Sequence, residues 1–272
     1  MKYLDTTIIA DSIAGSGRAK AAADTAISSS STWTSSHVRE QFRSTFLLAA
    51  VEAHQILVDS ESIGDALSRV GECFSKRQID RESKWFGSVV DAVLTQAKEG
   101  ELDDDPREAA LALLERWIDD GVIMEWFEDR VPPANVLDGT GCRRAAEDPM
   151  FDVETGTFAF SPKCSKKEPC GCTVAAFVAG NMEAVAKLAE GPDELEKANQ
   201  SPAHHPLREC AAMVRDKPQE CRGQMCWAHF SDAIIAIECP DAAILCTTDH
   251  HFAPICDCLG KKHLHVAHDK HA

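Results

Sequence analysis

The stretch Ser231–Phe252, SDAIIAIECPDAAILCTTDHHF, decides the fold. Ser231 suits a helix cap, and Asp232 suits the first turn, where a carboxylate meets the positive end of the helix dipole. The apolar run DAIIAIEC then predicts a short helix that Pro240 stops. AAILCT, residues 242–247, predicts a short strand buried on both faces. DHHFAPICDCLGKKHLHV adds a turn, a short helix and a last strand. Helix, buried strand, helix and strand in succession indicate an α/β chain. This segment carries a carboxylate at each end, Asp232 and Asp249. Taken singly, they read as a cap and a turn. Taken together, they raise a second reading, a metal site.

The amino-terminal end offers matching pieces. MKYLD predicts a strand over residues 1–5, ending on Asp5. TTIIADSIAGSGRAKAAAD predicts a short helix that loosens into a loop around Gly15–Gly17. Part of TAISSSSTWTSS fits a second strand, with Ser35 or Ser36 as the next N-cap. HVREQFRSTFLLAAVEAHQILV places Val38, Phe42, Phe46, Ala49, Ala50 and Ala53 at helical spacing, with Glu40 in the first turns. Further helices are predicted over 61–74, 79–98 and 106–119. Asp103 to Asp105 and Pro106 mark the start of the last of these. GVIMEWF, residues 121–127, reads as a strand. Residues 129–173 are loop-rich, and 173–191 reads as helix. No repeat period is visible.

Composition bounds the function. The chain has 272 residues with 44% hydrophobic content, enough to bury a substantial core. Lys and Arg total 28 against 44 Asp and Glu, a net charge of −16. That excludes coating of duplex DNA by bulk electrostatics. It does not exclude a nuclease, because bound cations reverse a carboxylate cluster's local charge. No apolar run reaches the roughly eighteen residues of a membrane span. Asp5 and Asp11 interrupt the amino terminus, so no secretory apolar region is expected and a cytoplasmic location is the default.

The acids fall at element boundaries. In an open parallel sheet, sites form outside the carboxyl ends of strands. Asp5 and Asp249 each follow a predicted strand, and Asp232 opens a helix that can face the same edge. Converging carboxylates repel and raise one another's pKa, which a Mg²⁺ or Mn²⁺ ion relieves.

These residues resemble a known family. KYLDTTIIAD resembles the opening of PIN-domain nucleases, with an Asp at the end of the first strand. SSHVREQF is similar to their second motif, a helix carrying a Glu. SDAIIAIECPDAAILCTTDHHFAPICDCLG strongly resembles their closing motif. The likeness covers roughly residues 1–60 and 228–265, extending plausibly over 60–127. It implies a PIN-like three-layer α/β/α fold around a central parallel sheet. It further implies a nuclease dependent on Mg²⁺ or Mn²⁺ and acting on RNA more often than DNA. Asp5, Glu40, Asp232 and Asp249 match the family's metal-binding acids, and Thr247 matches a hydroxyl that supports the last of them. An inhibitor protein, as for PIN-type toxins, or a second copy of the chain are the further partners expected. No membrane partner is.

The chain also departs from the family pattern. Glu40 and Asp232 lie 192 positions apart, so residues 128–227 read as an insertion between a first part, 1–127, and a last part, 228–272. His250 and His251 stand where many members carry a Lys–Asp pair. Some PIN-like domains have lost activity. The alternative is therefore an inactive PIN-like module whose insertion binds a partner or nucleic acid. Four filled acid positions favour activity.

The chain has 12 Cys. In a reducing compartment these are thiols or metal ligands. Cys164, Cys170, Cys172, Cys210, Cys221 and Cys226, with His229, fall in or beside the loop-rich insertion. As soft ligands they suit Zn²⁺, or next an iron–sulfur cluster. No Cys-x-x-Cys pair occurs, so buried free thiols remain the competing reading. Cys73, Cys239 and Cys246 sit in apolar patterns and read as core. Lys163, Lys166 and Lys167 form a local basic run that reads either as a phosphate contact or as an ordinary solvated loop.

Overall fold

The computed structural model describes residues 1–15, 17–28, 31–76, 86–87, 89–91, 93, 95, 105–119, 121–162, 164, 171–192, 195 and 206–266. Cys170, the basic residues Lys163, Lys166 and Lys167, and the end of the His-rich tail lie outside them. The described residues within 79–98 are helical.

The chain begins with strand β1 (Lys2–Leu4), helix α1 (Thr6–Ala14) and helix α2 (Gly17–Ser28). Strand β2 (Thr32–Ser35) runs directly into the long helix α3 (Ser36–Val58). Helices α4 (Ile63–Lys76), α5 (Pro106–Asp119) and α6 (Val122–Glu128) follow. A 3₁₀ turn (Pro133–Asn135) leads into the two-residue strand β3 (Val136–Leu137). Strands β4 (Met150–Asp152) and β5 (Thr157–Ala159) form an antiparallel hairpin. Helices α7 (Val174–Gly180), α8 (Met182–Ala189) and α9 (Leu207–Asp216) precede a second 3₁₀ turn (Pro218–Glu220) and a π-helical turn (Met225–His229). The chain closes with helix α10 (Ser231–Glu238), strand β6 (Ile244–Thr247), helix α11 (Phe252–Leu259) and strand β7 (Lys262–His265).

The chain divides into two compact units. Residues 1–41, 128–146 and 163–272 form one, and residues 42–127 and 147–162 form the other. The first holds the five-stranded sheet, in the order β3-β2-β1-β6-β7 with every neighbouring pair parallel. Helices flank the sheet, so the class is α/β, consistent with three layers. The central strands are short and apolar because both faces are covered. Tyr3, Leu4, Leu245 and Cys246 are fully buried. Parallel neighbours need crossovers, and helices supply them: α1 and α2 between β1 and β2, and α11 between β6 and β7. Gly260 ends α11 in the left-handed region at φ 70°. There it lets the Lys261 N–H reach the Cys256 carbonyl at 2.8 Å and turn the chain into β7.

The second unit is mainly helical. Phe42, Phe46 and Phe127 pack as tilted rings in its core, with ring centroids 4.5 and 5.4 Å from Phe42. Ala50, Leu114 and Trp117 are also buried in this unit.

Three segments differ from expectation. GVIMEWF is helix α6 rather than a strand, with Ile123 and Phe127, one turn apart, as its buried residues. α1 ends on its C-cap Gly15, where a break was expected, but a second helix not foreseen, α2, follows from Gly17, carried by an alanine-rich run whose Ala23 and Ala26 are buried. The region expected to be loop over 129–173 contributes β3 to the sheet edge.

Candidate functional site at the carboxyl edge of the sheet

The site follows from strand direction. β1 and β6 pair in parallel with Leu4 opposite Cys246, so both point their carboxyl ends to one edge. Asp5 is the residue after β1, and Asp249 lies two beyond β6. β2 runs parallel to β1 and passes straight into α3. Its end therefore sets Glu40 within the first turns of a helix that starts at this edge. α10 begins at the same edge, because Ser231 Oγ and His37 Nε2 lie 3.0 Å apart. Ser231 is thus committed to His37, and the N-cap position falls to Phe230, which makes no side-chain cap.

Asp5 is fully buried. Its Oδ2 accepts from Thr7 Oγ1 at 2.7 Å, from Thr247 Oγ1 at 3.0 Å and from the Thr7 N–H at 3.4 Å, so it also caps α1. Thr247 Oγ1 in turn accepts the Asp249 N–H at 2.9 Å. One hydroxyl thereby couples the acid after β1 to the acid after β6. Thr7, which the sequence did not single out, completes the network by accepting the Thr248 N–H at 3.2 Å.

Asp232 and Asp249 come together, and they are joined by His251. One ligand atom from each of these three residues lies within 4.8 Å of the other two. His251 was not among the expected ligands; its position two residues after an Asp was the only available signal. Asp249 Oδ1 accepts the His251 N–H at 3.0 Å, and the ring Nδ1 stands 3.3 Å from the same oxygen. All three residues are half-buried.

Glu40 is nearly fully buried. Its Oε2 accepts the Ala145 N–H at 2.9 Å, and its Oε1 meets Arg39 Nη2 at 3.3 Å. Among the described residues, no other trio of His, Cys, Asp or Glu ligand atoms is as close as the Asp232 group, so neither Asp5 nor Glu40 enters such a trio.

The same holds for the described thiols, although they do gather. The Cys226 thiol hydrogen-bonds with Cys164, which favours its thiolate, but burial and the neighbouring Cys221, Cys142 and Cys172 raise its pKa overall. Burial first, then Cys164 and Cys210, push the Cys221 thiol up to about 12. Burial, with Glu209 beside it, pushes Cys210 up to about 11. His229 closes the π-helical turn that carries Cys226. Cys239, Cys246 and Cys256 are buried in the sheet unit's core, in keeping with the core reading of the first two.

A third buried acid lies in the sheet unit, in addition to Asp5 and Glu40. Glu238, at the end of α10, has its carboxyl raised to about 7, chiefly by burial. The Ser35 hydroxyl and the Thr140 and Gly139 N–H groups offset part of that rise. The Thr140 N–H donates to Glu238 Oε1 at 3.2 Å.

No described helix is long and apolar enough to cross a membrane. Comparison of the chain with protein-family models, with curated proteins and with solved structures finds no match.

Proposed function

We propose that the chain is a divalent-metal-dependent nuclease of PIN-like fold, acting on RNA in preference to DNA. The observation that carries this reading is the meeting of Asp232 and Asp249, from α10 and from the loop after β6, within reach of one cation. The strand order, with β1 and β6 central and their acids at one edge, supports it. So do the sequence motifs around Asp5, Glu40, Asp232 and Asp249.

The donor set fits a hard or borderline divalent ion: two carboxylates, one imidazole and space open to water. Asp232 and Asp249 would hold it. Asp5 and Glu40 would add negative charge at the same edge. When bound, such an ion supplies water activation and charge neutralisation at a phosphodiester. The chain's own residues do the positioning. Thr247 and Thr7 hold Asp5, and Thr247 fixes the backbone of Asp249.

The purified chain should cleave single-stranded RNA with Mn²⁺ or Mg²⁺ and stop when EDTA is added. Asp232→Asn should lower the rate by at least on the order of a hundredfold, since loss of even an outer-shell partner of a metal ligand costs about tenfold to a hundredfold. Equal cleavage by Asp232→Asn overturns the site. Ion binding without cleavage of any nucleic acid replaces the nuclease with a non-catalytic binding module.

A further inference from the structure

We infer that His251 is a third ligand at the Asp232–Asp249 site, and that its imidazole makes the site select a first-row transition ion over Mg²⁺. This rests on the reading of Asp232 and Asp249 as ion-binding acids, but not on RNA being the substrate.

Geometry separates the two roles open to His251. An ion pair with Asp249 alone would need no third residue. Here Asp232 is brought in by a different element, 17 positions upstream in sequence, and its oxygen lies within 4.8 Å of both the Asp249 oxygen and the His251 nitrogen. Three donors from α10 and the β6–α11 loop lie close enough together to share one ion, which a pair alone does not offer. The backbone prepares this convergence. Asp249 Oδ1 accepts the His251 N–H at 3.0 Å, a local turn that folds residue 251 back toward the carboxylate. His250 does not compete, because its ring stacks on His265 with centroids 3.9 Å apart. The His251 side chain is 43% exposed, so an ion and its waters can reach it.

Chemistry then sets the preference. Mg²⁺ takes oxygen donors and keeps several waters. An imidazole nitrogen adds little for Mg²⁺ and favours first-row transition ions, along the order that rises from Mn²⁺. Two carboxylates and one imidazole therefore shift the balance away from Mg²⁺.

The test uses the full chain, stripped with chelator and titrated with Mn²⁺. Free Mn²⁺ is followed by electron paramagnetic resonance, and nitrogen coordination by electron spin-echo modulation from ¹⁴N. The wild type should bind one Mn²⁺ with clear ¹⁴N modulation, and Mg²⁺ should displace it only at large excess. His251→Gln should lose the modulation and about tenfold to a hundredfold in Mn²⁺ affinity, with Mg²⁺ affinity unchanged. His250→Gln should keep both, and Asp232→Asn should lose binding of either ion. Circular dichroism confirms that each variant is folded. Mn²⁺ bound without ¹⁴N modulation, at an affinity His251→Gln does not change, overturns the inference while leaving the acid pair standing. Mn²⁺ binding that Asp232→Asn leaves intact overturns the acid pair as well.

Discussion

Thr247 carries more of the candidate site than its size suggests. Its hydroxyl donates to the fully buried Asp5 and accepts the N–H of Asp249, so one oxygen sets the spacing of two acids. Removing it leaves a buried carboxylate with one donor fewer and a backbone N–H without its acceptor. Leaving such groups unsatisfied costs about 1–3 kcal/mol. Thr247→Val should therefore lower unfolding free energy in urea by about that amount and weaken Mn²⁺ binding. Thr247→Ser should restore both. A Val variant as stable as wild type would show that the hydroxyl is not what holds the pair. At this scale the sequence was partly legible. Asp5 and Asp249 stand out because they follow strands, and Thr247 through the likeness of the closing motif. His251 did not, because Asp-x-His reads equally well as an ordinary turn. One partner of Glu40 was hidden too, since Ala145 lies 105 positions away and contributes only its backbone N–H.

The elements divide along the same physical line. β1, α3, α5, α10 and β6 were legible because each has strong periodicity or clear end signals, such as Pro106 and Pro240. α6 was misread because Val122, Ile123, Met124, Trp126 and Phe127 form a short apolar run, and such a run does not distinguish strand from helix. β3 was missed because it has two residues and owes its existence to neighbours. It pairs with Thr34 and Ser35 of β2, and Asn135 Nδ2 just before it donates to the Thr32 carbonyl at 2.8 Å. The thiols show what the elements do chemically. Cys239 ends α10, Cys256 lies within α11 and Cys221 follows a 3₁₀ turn, and burial pushes all three up to about 12. The thiolate is the reacting form. In a pulse of iodoacetamide at pH 8, these three should label far more slowly than the half-buried Cys164 and Cys172, and catch up only in denaturant. Mass spectrometry of the digested chain reads each site. Labelling of Cys221, Cys239 or Cys256 in the native state at the rate of Cys164 would show that the helices do not seal them.

At the scale of the whole molecule, the two units carry buried titrating groups that oppose each other. In the sheet unit, burial raises Glu238 from 4.5 to about 7. A raised carboxyl favours the folded state while it keeps its proton. Its contribution is fully present below pH 4.5 and is lost as pH rises through 7. At about 1.4 kcal/mol per tenfold change, the gap is worth on the order of 3 kcal/mol. In the helical unit, burial lowers His54 from 6.5, against the opposing pull of Glu115 at 3.5 Å. A lowered histidine favours the folded state while neutral, so its contribution is present above pH 6.5 and lost as pH falls through the lowered value. Acid should therefore weaken the helical unit through His54, and alkali the sheet unit through Glu238. Glu238→Gln keeps an oxygen for the Thr140 N–H and removes the ionisation. It should match wild type in urea unfolding at pH 4.5 and exceed it at pH 8 by on the order of 3 kcal/mol. Amide exchange in α10 and β6 should slow at pH 8 in this variant, with α5 unchanged. An equal gain at both pH values would mean that Gln helps by packing, and that Glu238 is not ionising within the fold.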